Sequence, residues 1–231
     1  YNMCIKNVWL WYHIFYNNAR TIPMSIIDSI FYIVVLIFSI VIHEVAHGYV
    51  AYLWGDNTAK DEGRLTLNPL SHLEWFGSVI LPGLLILSHA GFVIGWAKPV
   101  PYNPANLRNK KWGTLAVASA GIIVNLFIAL VFGLLIRILI AKGLLTVQMS
   151  AYLILQMIVV LNIVLAIFNL MPVPPLVGSR ILFALLGDKF RKYEYFLERY
   201  SIVLLLFFVF FAWKVISPVI FLLYMFFSGQ S

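Results

Sequence analysis

The residues His43-Glu44-Val45-Ala46-His47 stand inside an apolar stretch, Ile26–Leu53, that is long enough to cross a membrane. On a helix, residues four apart lie on one face, so the two imidazoles point the same way. Two histidines at this spacing can hold one metal ion, and the glutamate between them can reach a metal-bound water. Because ionisable residues inside a membrane span are costly, their presence indicates function. The stretch therefore predicts metal-assisted hydrolysis within a bilayer.

The composition predicts a polytopic membrane protein. Of the 231 residues, 62% are hydrophobic and 11% are charged, whereas soluble domains are about 45–50% apolar and about 25% charged. Three long runs carry no charge: Trp75–Ala97, Gly113–Ile136 and Gly143–Ser179. We predict an all-α polytopic fold with about five to six transmembrane or re-entrant helices and a small extended loop near the active site. The single Cys4 excludes an intrachain disulfide.

A single transmembrane domain is expected over residues 26–227, after an aromatic N-terminal segment, residues 1–25, that suits a membrane interface. The chain opens on Tyr1, Met24 is a candidate start, and no cleaved signal peptide is expected. The predicted segments are Ile26–Leu53, Phe76–Gly95, Gly113–Ala141, Ser150–Met171 and Tyr200–Phe227 in the membrane, with an interfacial helix at Asp188–Arg199.

The net charge of +7, from 16 Lys and Arg against 9 Asp and Glu, lies in the loops between spans. Such a distribution indicates membrane topology and lipid headgroups as partners, and it predicts no nucleic-acid binding. Loops 97–112 and 172–199 are basic, whereas loop 142–149 holds only Lys142. The positive-inside rule therefore places the first two loops in the cytoplasm.

The segment Phe76–Gly95 admits two topologies. A full crossing would put loops 54–74 and 96–112 on opposite sides of the membrane. We expect the end of the span that begins near Ser150 to form a second wall of the histidine site. The two spans can meet there only if loops 54–74 and 96–112 lie on the same side of the membrane. We therefore predict a re-entrant segment that turns at Pro82-Gly83, with the active site toward the cytoplasm and the residues before Ile26 outside.

Five stretches resemble the site-2 protease family of intramembrane zinc metalloproteases, in its compact bacterial branch without a PDZ domain. They are HEVAHGYVAYLWGD (43–56), GRLTLNPLSHLEWFGSVILPGLL (63–85), GWAKPVPYNP (95–104), ASAGIIVN (118–125) and NLMPVPPLVG (169–178). The resemblance implies Zn2+ as cofactor, a bacterial cell membrane as location, and a membrane-protein substrate with a transmembrane helix. It leaves the oligomeric state open.

The resemblance also implies roles for individual residues. It implies His43 and His47 as zinc ligands, Glu44 as general base and Asn169 as a hydrogen-bond donor to the oxyanion. The substrate-binding residues expected from the matching stretches are Lys98, Val100, Tyr102 and Asn125.

The loop 96–104 carries its own prediction. Pro99 and Pro101 lack N–H groups at alternate positions, whereas Lys98, Val100 and Tyr102 keep theirs on the other edge. One edge would then be free for an extended peptide to add as a strand. In the alternative interpretation, the two prolines only shape a turn.

Two positions depart from the family pattern. The family has a zinc-ligating Asp where this chain has Val177, and usually a Pro where this chain has Ile122. Valine cannot bind zinc, so the site has two histidine ligands unless water, Glu44 or another side chain completes the shell, or unless position 177 is an engineered or sequencing change. Further candidates for a third ligand are His72, His89 and Asp188.

Three functions follow as hypotheses. The first is a zinc endopeptidase that cleaves transmembrane segments. The second is a catalytically inactive relative that binds transmembrane helices, which Val177 favours. The third is a transporter or channel with an incidental HExxH motif. Paired short spans at corresponding positions would indicate the inverted repeats of a transporter, and the sequence shows none.

Overall fold

The structure is a computed structural model, and it describes residues 26–80, 84, 87–88, 97–187, 190–201, 203–204 and 213–230. All regular structure in these residues is helical, without a strand, which confirms the predicted all-α class. The predictions that concern residues 1–25, Pro82-Gly83, His89 and Asp188 lie outside the described residues.

Among the residues that the structure describes, three helices are long and apolar enough to cross a membrane: α1 (Ile26–Leu53), α2 (Lys110–Ala141) and α3 (Ser150–Leu170). They match three of the predicted spans closely. The shorter helices that the structure describes after them are α4 (Val177–Leu186), α5 (Arg191–Arg199) and α6 (Trp213–Ser228). Of the predicted span at Phe76–Gly95, the structure describes mainly a π-helical start, Trp75–Ile80.

The apolar core lies between α2, α3 and α6. It includes the fully buried Ile136, Val159, Ile163 and Ile220, one or two from each helix. α1 packs on the other part of α2, where small residues allow helices to approach closely. The long helices thus form a bundle in which α2 contacts every other spanning helix, and α2 supplies the wall that faces the histidines.

Glycine ends α1 by a Schellman motif. Gly55 has φ +104°, its N–H donates to the Tyr52 carbonyl (3.0 Å), and the N–H of Asp56 donates to the Ala51 carbonyl (3.0 Å). A residue with a Cβ is strained at this φ, which explains the Gly-Asp pair at the end of the apolar run. The turn aims Asp56 back toward the loops beside the helix end.

The loops on either side of segment 76–95 contact each other directly. The Lys98 N–H donates to the His72 carbonyl (2.8 Å), and the Arg108 N–H donates to the Trp54 carbonyl (2.9 Å). Both ends of the segment therefore lie at the same end of α1, as the re-entrant topology requires. The contacts favour that topology over one full crossing, which would separate the two loops by the thickness of the bilayer.

The relative directions of the helices determine which of their residues lie at the same depth in the bundle. His47 on α1 contacts Val117, and His43 contacts Asn125, so α1 and α2 run antiparallel. The short connection 142–149 then brings α3 back parallel to α1. The Asn162 amide donates to Ser39 Oγ on α1 (3.0 Å), one turn before His43. The end of α3 therefore lies at the depth of the histidines.

Candidate metal centre

The two histidines converge on one point. His43 Nε2 lies 3.1 Å from His47 Nε2, and the two ring planes are nearly perpendicular, at 82°. Two nitrogens at about 2.0–2.1 Å from one tetrahedral zinc ion lie about 3.3 Å apart. The spacing of the pair thus suits two ligands of one metal ion.

The opposite ring nitrogens are held by α2. His47 donates its Nδ1–H to the Val117 carbonyl (2.6 Å), which leaves Nε2 with a free lone pair. Metal-binding histidines ordinarily donate their second N–H in this way. Asn125 is fully buried, and its Nδ2 lies 3.2 Å from His43 Nδ1. The Asn125 Oδ1 has no partner, so turning the amide over would give His43 an acceptor for the same bond.

Gly121 leaves the space beside the ring nitrogens open. A Cβ at this position would stand 2.5 Å from His43 Nε2 and 2.6 Å from His47 Nε2. That volume is the one that a shared ligand of both nitrogens needs, and any side chain on Gly121 would fill it. The ring spacing, the donated Nδ1–H of His47 and this small cradle together fit a metal ion.

Glu44 contacts the loop that follows segment 76–95. Its Oε2 accepts the backbone N–H of Val100 (3.1 Å), and the side chain is half-buried. The Val100 side chain lies against Gly48, one turn further along α1, where a Cβ would stand 2.5 Å from Val100 Cγ1. The absence of a side chain at Gly48 therefore lets the loop approach the HExxH helix closely.

The predicted substrate-binding residues of this loop differ in exposure. Lys98 is exposed, Val100 is buried, and Tyr102 packs in a small cluster around Ala51. The expectation that the N–H edge is free is wrong for two positions, because Lys98 donates to the His72 carbonyl and Val100 donates to Glu44. Buried N–H groups need acceptors, and neighbouring elements supply them here.

Asn169 lies near the end of α3, and its Nδ2 donates to the Leu165 carbonyl (2.9 Å) on its own helix. The step of seven residues from Asn162 spans about 10 Å, and the step of eight from Ser39 to His47 spans about 12 Å. Since Ser39 and Asn162 are in contact, Asn169 stands at about the depth of His47. Among the described residues, no hydrogen bond joins it to either histidine.

Val177 begins α4, which packs on α2. Gly178 brings this start against the backbone of Leu170 and Met171, where no Cβ would fit. Within the described part of the chain, no group of three His, Cys, Asp or Glu side chains could hold a metal ion. His72 is buried in the loop and bonds to the Thr66 carbonyl (2.8 Å). The described centre therefore offers two histidine ligands.

Two buried charged residues that hold the loops beside the end of α1 were not predicted from the sequence. Asp56 accepts the Asn103 N–H (2.6 Å), the Asn106 amide (2.8 Å) and the Thr58 hydroxyl (2.5 Å). Arg64 donates to the carbonyls of Lys98 (2.9 Å) and Pro99 (3.2 Å). The signal that the sequence offered for Asp56 and Arg64 was that each is a charged residue within a stretch that matches the family. Most of the groups that they bond are distant in sequence, so this signal did not identify them.

The Asp56 carboxyl is tuned by its partners. Burial raises its pKa, but the hydrogen bonds from Thr58, Asn106 and the Asn103 backbone outweigh burial. The pKa is therefore lowered from its ordinary value of 3.8. Asp56 is a carboxylate at neutral pH, and it holds the loop 103–106 against the end of α1.

Comparison with known proteins identifies the family of the chain. A model of "Peptidase family M50" matches residues 136–211. The chain is 38% identical over 187 residues to "Putative zinc metalloprotease YwhC" of Bacillus subtilis (strain 168), which covers 80% of this chain and 81% of that protein. No solved structure matches.

An HExxH pair on a membrane-length helix, with its ring nitrogens held by a second helix, is typical of a membrane metalloprotease. The similarity extends over most of both chains, and the chain belongs to peptidase family M50, the site-2 proteases. Family membership makes Zn2+ the cofactor, and the chain is an integral membrane protein.

Proposed function

We propose that the protein is an intramembrane zinc endopeptidase that cleaves transmembrane segments of membrane proteins. The observation that carries the proposal is the convergence of the His43 and His47 Nε2 atoms beside Gly121, with Glu44 on the same helix. This arrangement lies within an apolar helix, so the peptide bonds that reach it are those of membrane segments.

His43 and His47 would hold the ion, and zinc supplies polarisation of the scissile carbonyl and acidification of water when it is bound. Glu44 takes the proton from the attacking water and delivers it to the leaving amine. Asn169, at the depth of His47, donates its amide N–H to the oxyanion. The loop 97–103 places the substrate backbone next to Glu44, and Lys98 is one of its exposed residues.

The orientation is also a proposal. Loops 97–112 and 172–199 are basic. The first is bonded to the end of α1 at Trp54, and the second begins where α3, which runs parallel to α1, ends. By the positive-inside rule this end faces the cytoplasm. A bacterial cell membrane is the proposed location, in line with the organism of the relative.

Replacement of Glu44 tests the proposal. We expect Glu44→Gln to abolish cleavage of a model transmembrane substrate in detergent while the zinc content stays unchanged, because Gln is similar in size but is no base. The matched control is Glu62→Gln, an exposed loop glutamate, which should cleave at the wild-type rate. Wild-type cleavage by the Glu44→Gln variant would refute the role of Glu44.

A second candidate function is an inactive relative that binds transmembrane helices without cleaving them. It is favoured by Val177 at the position of the family's ligating Asp, and by a described site with two histidine ligands. A two-ligand site binds zinc more weakly than the three-ligand sites of zinc hydrolases.

The change Val177→Asp distinguishes the two candidates. A carboxylate binds zinc at about 2.0–2.2 Å, so we expect higher zinc occupancy and faster cleavage in the variant. Val177→Asn, which has the same shape without the negative charge, is the control. If zinc occupancy and cleavage both stay at wild-type levels in the Asp variant, the third ligand comes from another residue.

A further inference from the structure

One peptide group connects a buried cation to the HExxH glutamate. The Pro99 carbonyl oxygen accepts from Arg64 Nη2 (3.2 Å), and the N–H of Val100, at the other end of the same peptide bond, donates to Glu44 Oε2 (3.1 Å). Because a peptide group is planar and rigid, the direction of its carbonyl fixes the direction of its N–H. Arg64 thus acts on Glu44 without touching it.

Arg64 is unusual because it is a nearly buried cation, 6% exposed, that bonds to carbonyl oxygens. Its guanidinium donates to the carbonyls of Ser71, Lys98 and Pro99. Within the described residues, no carboxylate forms an ion pair with it, and its Nε has no partner. A buried charge of this kind is costly unless it is compensated nearby.

The Pro99–Val100 peptide group supplies part of that compensation. Its negative carbonyl end faces the guanidinium, and its positive N–H end faces the Glu44 carboxylate. Hydrogen bonds in such a chain polarise one another, so each charge strengthens the bond at the far end. The two charges interact favourably through the peptide group, although they belong to the loop and to α1.

We propose that Arg64 is a positioning residue for Glu44. It grips two successive carbonyls of the loop and thereby aims the Val100 N–H at one carboxylate oxygen, which leaves the other oxygen for the reaction. The close approach at Gly48 keeps Val100 in place. The importance for catalysis rests on the proposed function, whereas the contact itself does not.

Hydrogen exchange of the Val100 amide tests the proposal without any substrate. In Arg64→Ala, measured on the full-length protein in detergent, we expect this amide to exchange at least about tenfold faster, because a bond to a charged acceptor is lost. The amides of α3 should keep their wild-type rates. The control is Lys60→Ala, an exposed cation of the same loop, which should leave Val100 exchange unchanged.

If the Arg64→Ala variant does not fold, Arg64→Lys still tests the proposal. Lysine preserves the charge but lacks the planar fork that binds two carbonyls, so Val100 should again exchange several-fold faster. Wild-type exchange at Val100 in a folded Arg64→Ala or Arg64→Lys variant overturns the inference.

Cleavage kinetics separate the inference from the proposed function. If the wild type cleaves a transmembrane substrate, Arg64→Lys should lower kcat more than it changes KM, with zinc content unchanged. Faster Val100 exchange in a chain that cleaves nothing would support the positioning contact and contradict the proposed function. Cleavage by the wild type together with unchanged Val100 exchange would contradict the positioning contact alone.

Discussion

Gly121 is the residue on which access to the two ring nitrogens depends. We expect Gly121→Ala to lower zinc affinity at least about tenfold, because the added methyl group would occupy the space 2.5–2.6 Å from both Nε2 atoms. Zinc per chain after purification, and its retention against a chelator, are the measurements.

Ile123→Ala is the control for Gly121→Ala, since Ile123 is on the same helix and is 62% exposed. It should retain wild-type zinc. Full zinc occupancy in Gly121→Ala would show that the metal does not lie on the side of the pair that faces α2.

The residues that the sequence could predict are those with local spacing. His43, Glu44 and His47 follow from one helical turn, and Gly55 follows from the end of the apolar run. The contacts of Arg64 with Lys98, of Asp56 with Asn103 and of Asn125 with His43 could not be predicted, because they bridge 34, 47 and 82 positions of sequence. Only the packing of the loops and of α2 on α1 brings those partners together.

At the scale of elements, the loop 97–109 is held by charged groups rather than by a strand ladder. The alternating prolines indicated an edge for strand addition, but the N–H groups of Lys98 and Val100 are already bonded. Spacing of prolines shows which N–H groups exist and does not show which acceptors stand nearby. The carboxylates of Glu44 and Asp56 are those acceptors for Val100 and Asn103.

The stability that Asp56 contributes by anchoring this loop should depend on pH. Since its pKa is lowered in the folded protein, Asp56 contributes stability that is complete above its unfolded pKa, near 3.8, and is lost as the pH falls through the lower folded value. We expect Asp56→Asn to cost about 1–3 kcal/mol at pH 7 through mismatched donors.

Thermal unfolding in detergent between pH 3 and 7 measures the effect of Asp56→Asn. The difference between wild type and variant should shrink as the pH falls below about 3.8, because the unfolded chain then takes up a proton that the folded carboxylate resists. The exposed Asp61→Asn is the control and should match the wild type throughout. A difference that stays constant with pH would show that the charge of Asp56 is not what holds the loop.

At the scale of the whole molecule, the two loops that flank segment 76–95 share one end of the bundle. We predict that cysteines at Asn57 and Lys110, each introduced alone in a Cys4→Ser background, react with an impermeant reagent from the same side of the membrane. Both positions are exposed, and Lys110 leaves the Asn109 cap of α2 intact. Labelling of the two positions from opposite sides would contradict the hydrogen-bonded contact between the loops.

Because the metal centre is divided between two helices, its parts are also synthesised in a fixed order. Both imidazoles belong to α1, whereas the Val117 carbonyl, Gly121 and Asn125 belong to α2. Residues 54–109 separate the helices, so at about 5–20 residues per second a ribosome completes α1 seconds before it delivers the rest of the site. Until then the rings lack the partners that fix their tautomers. We therefore expect zinc to be captured late in biosynthesis, after the first two spans have docked.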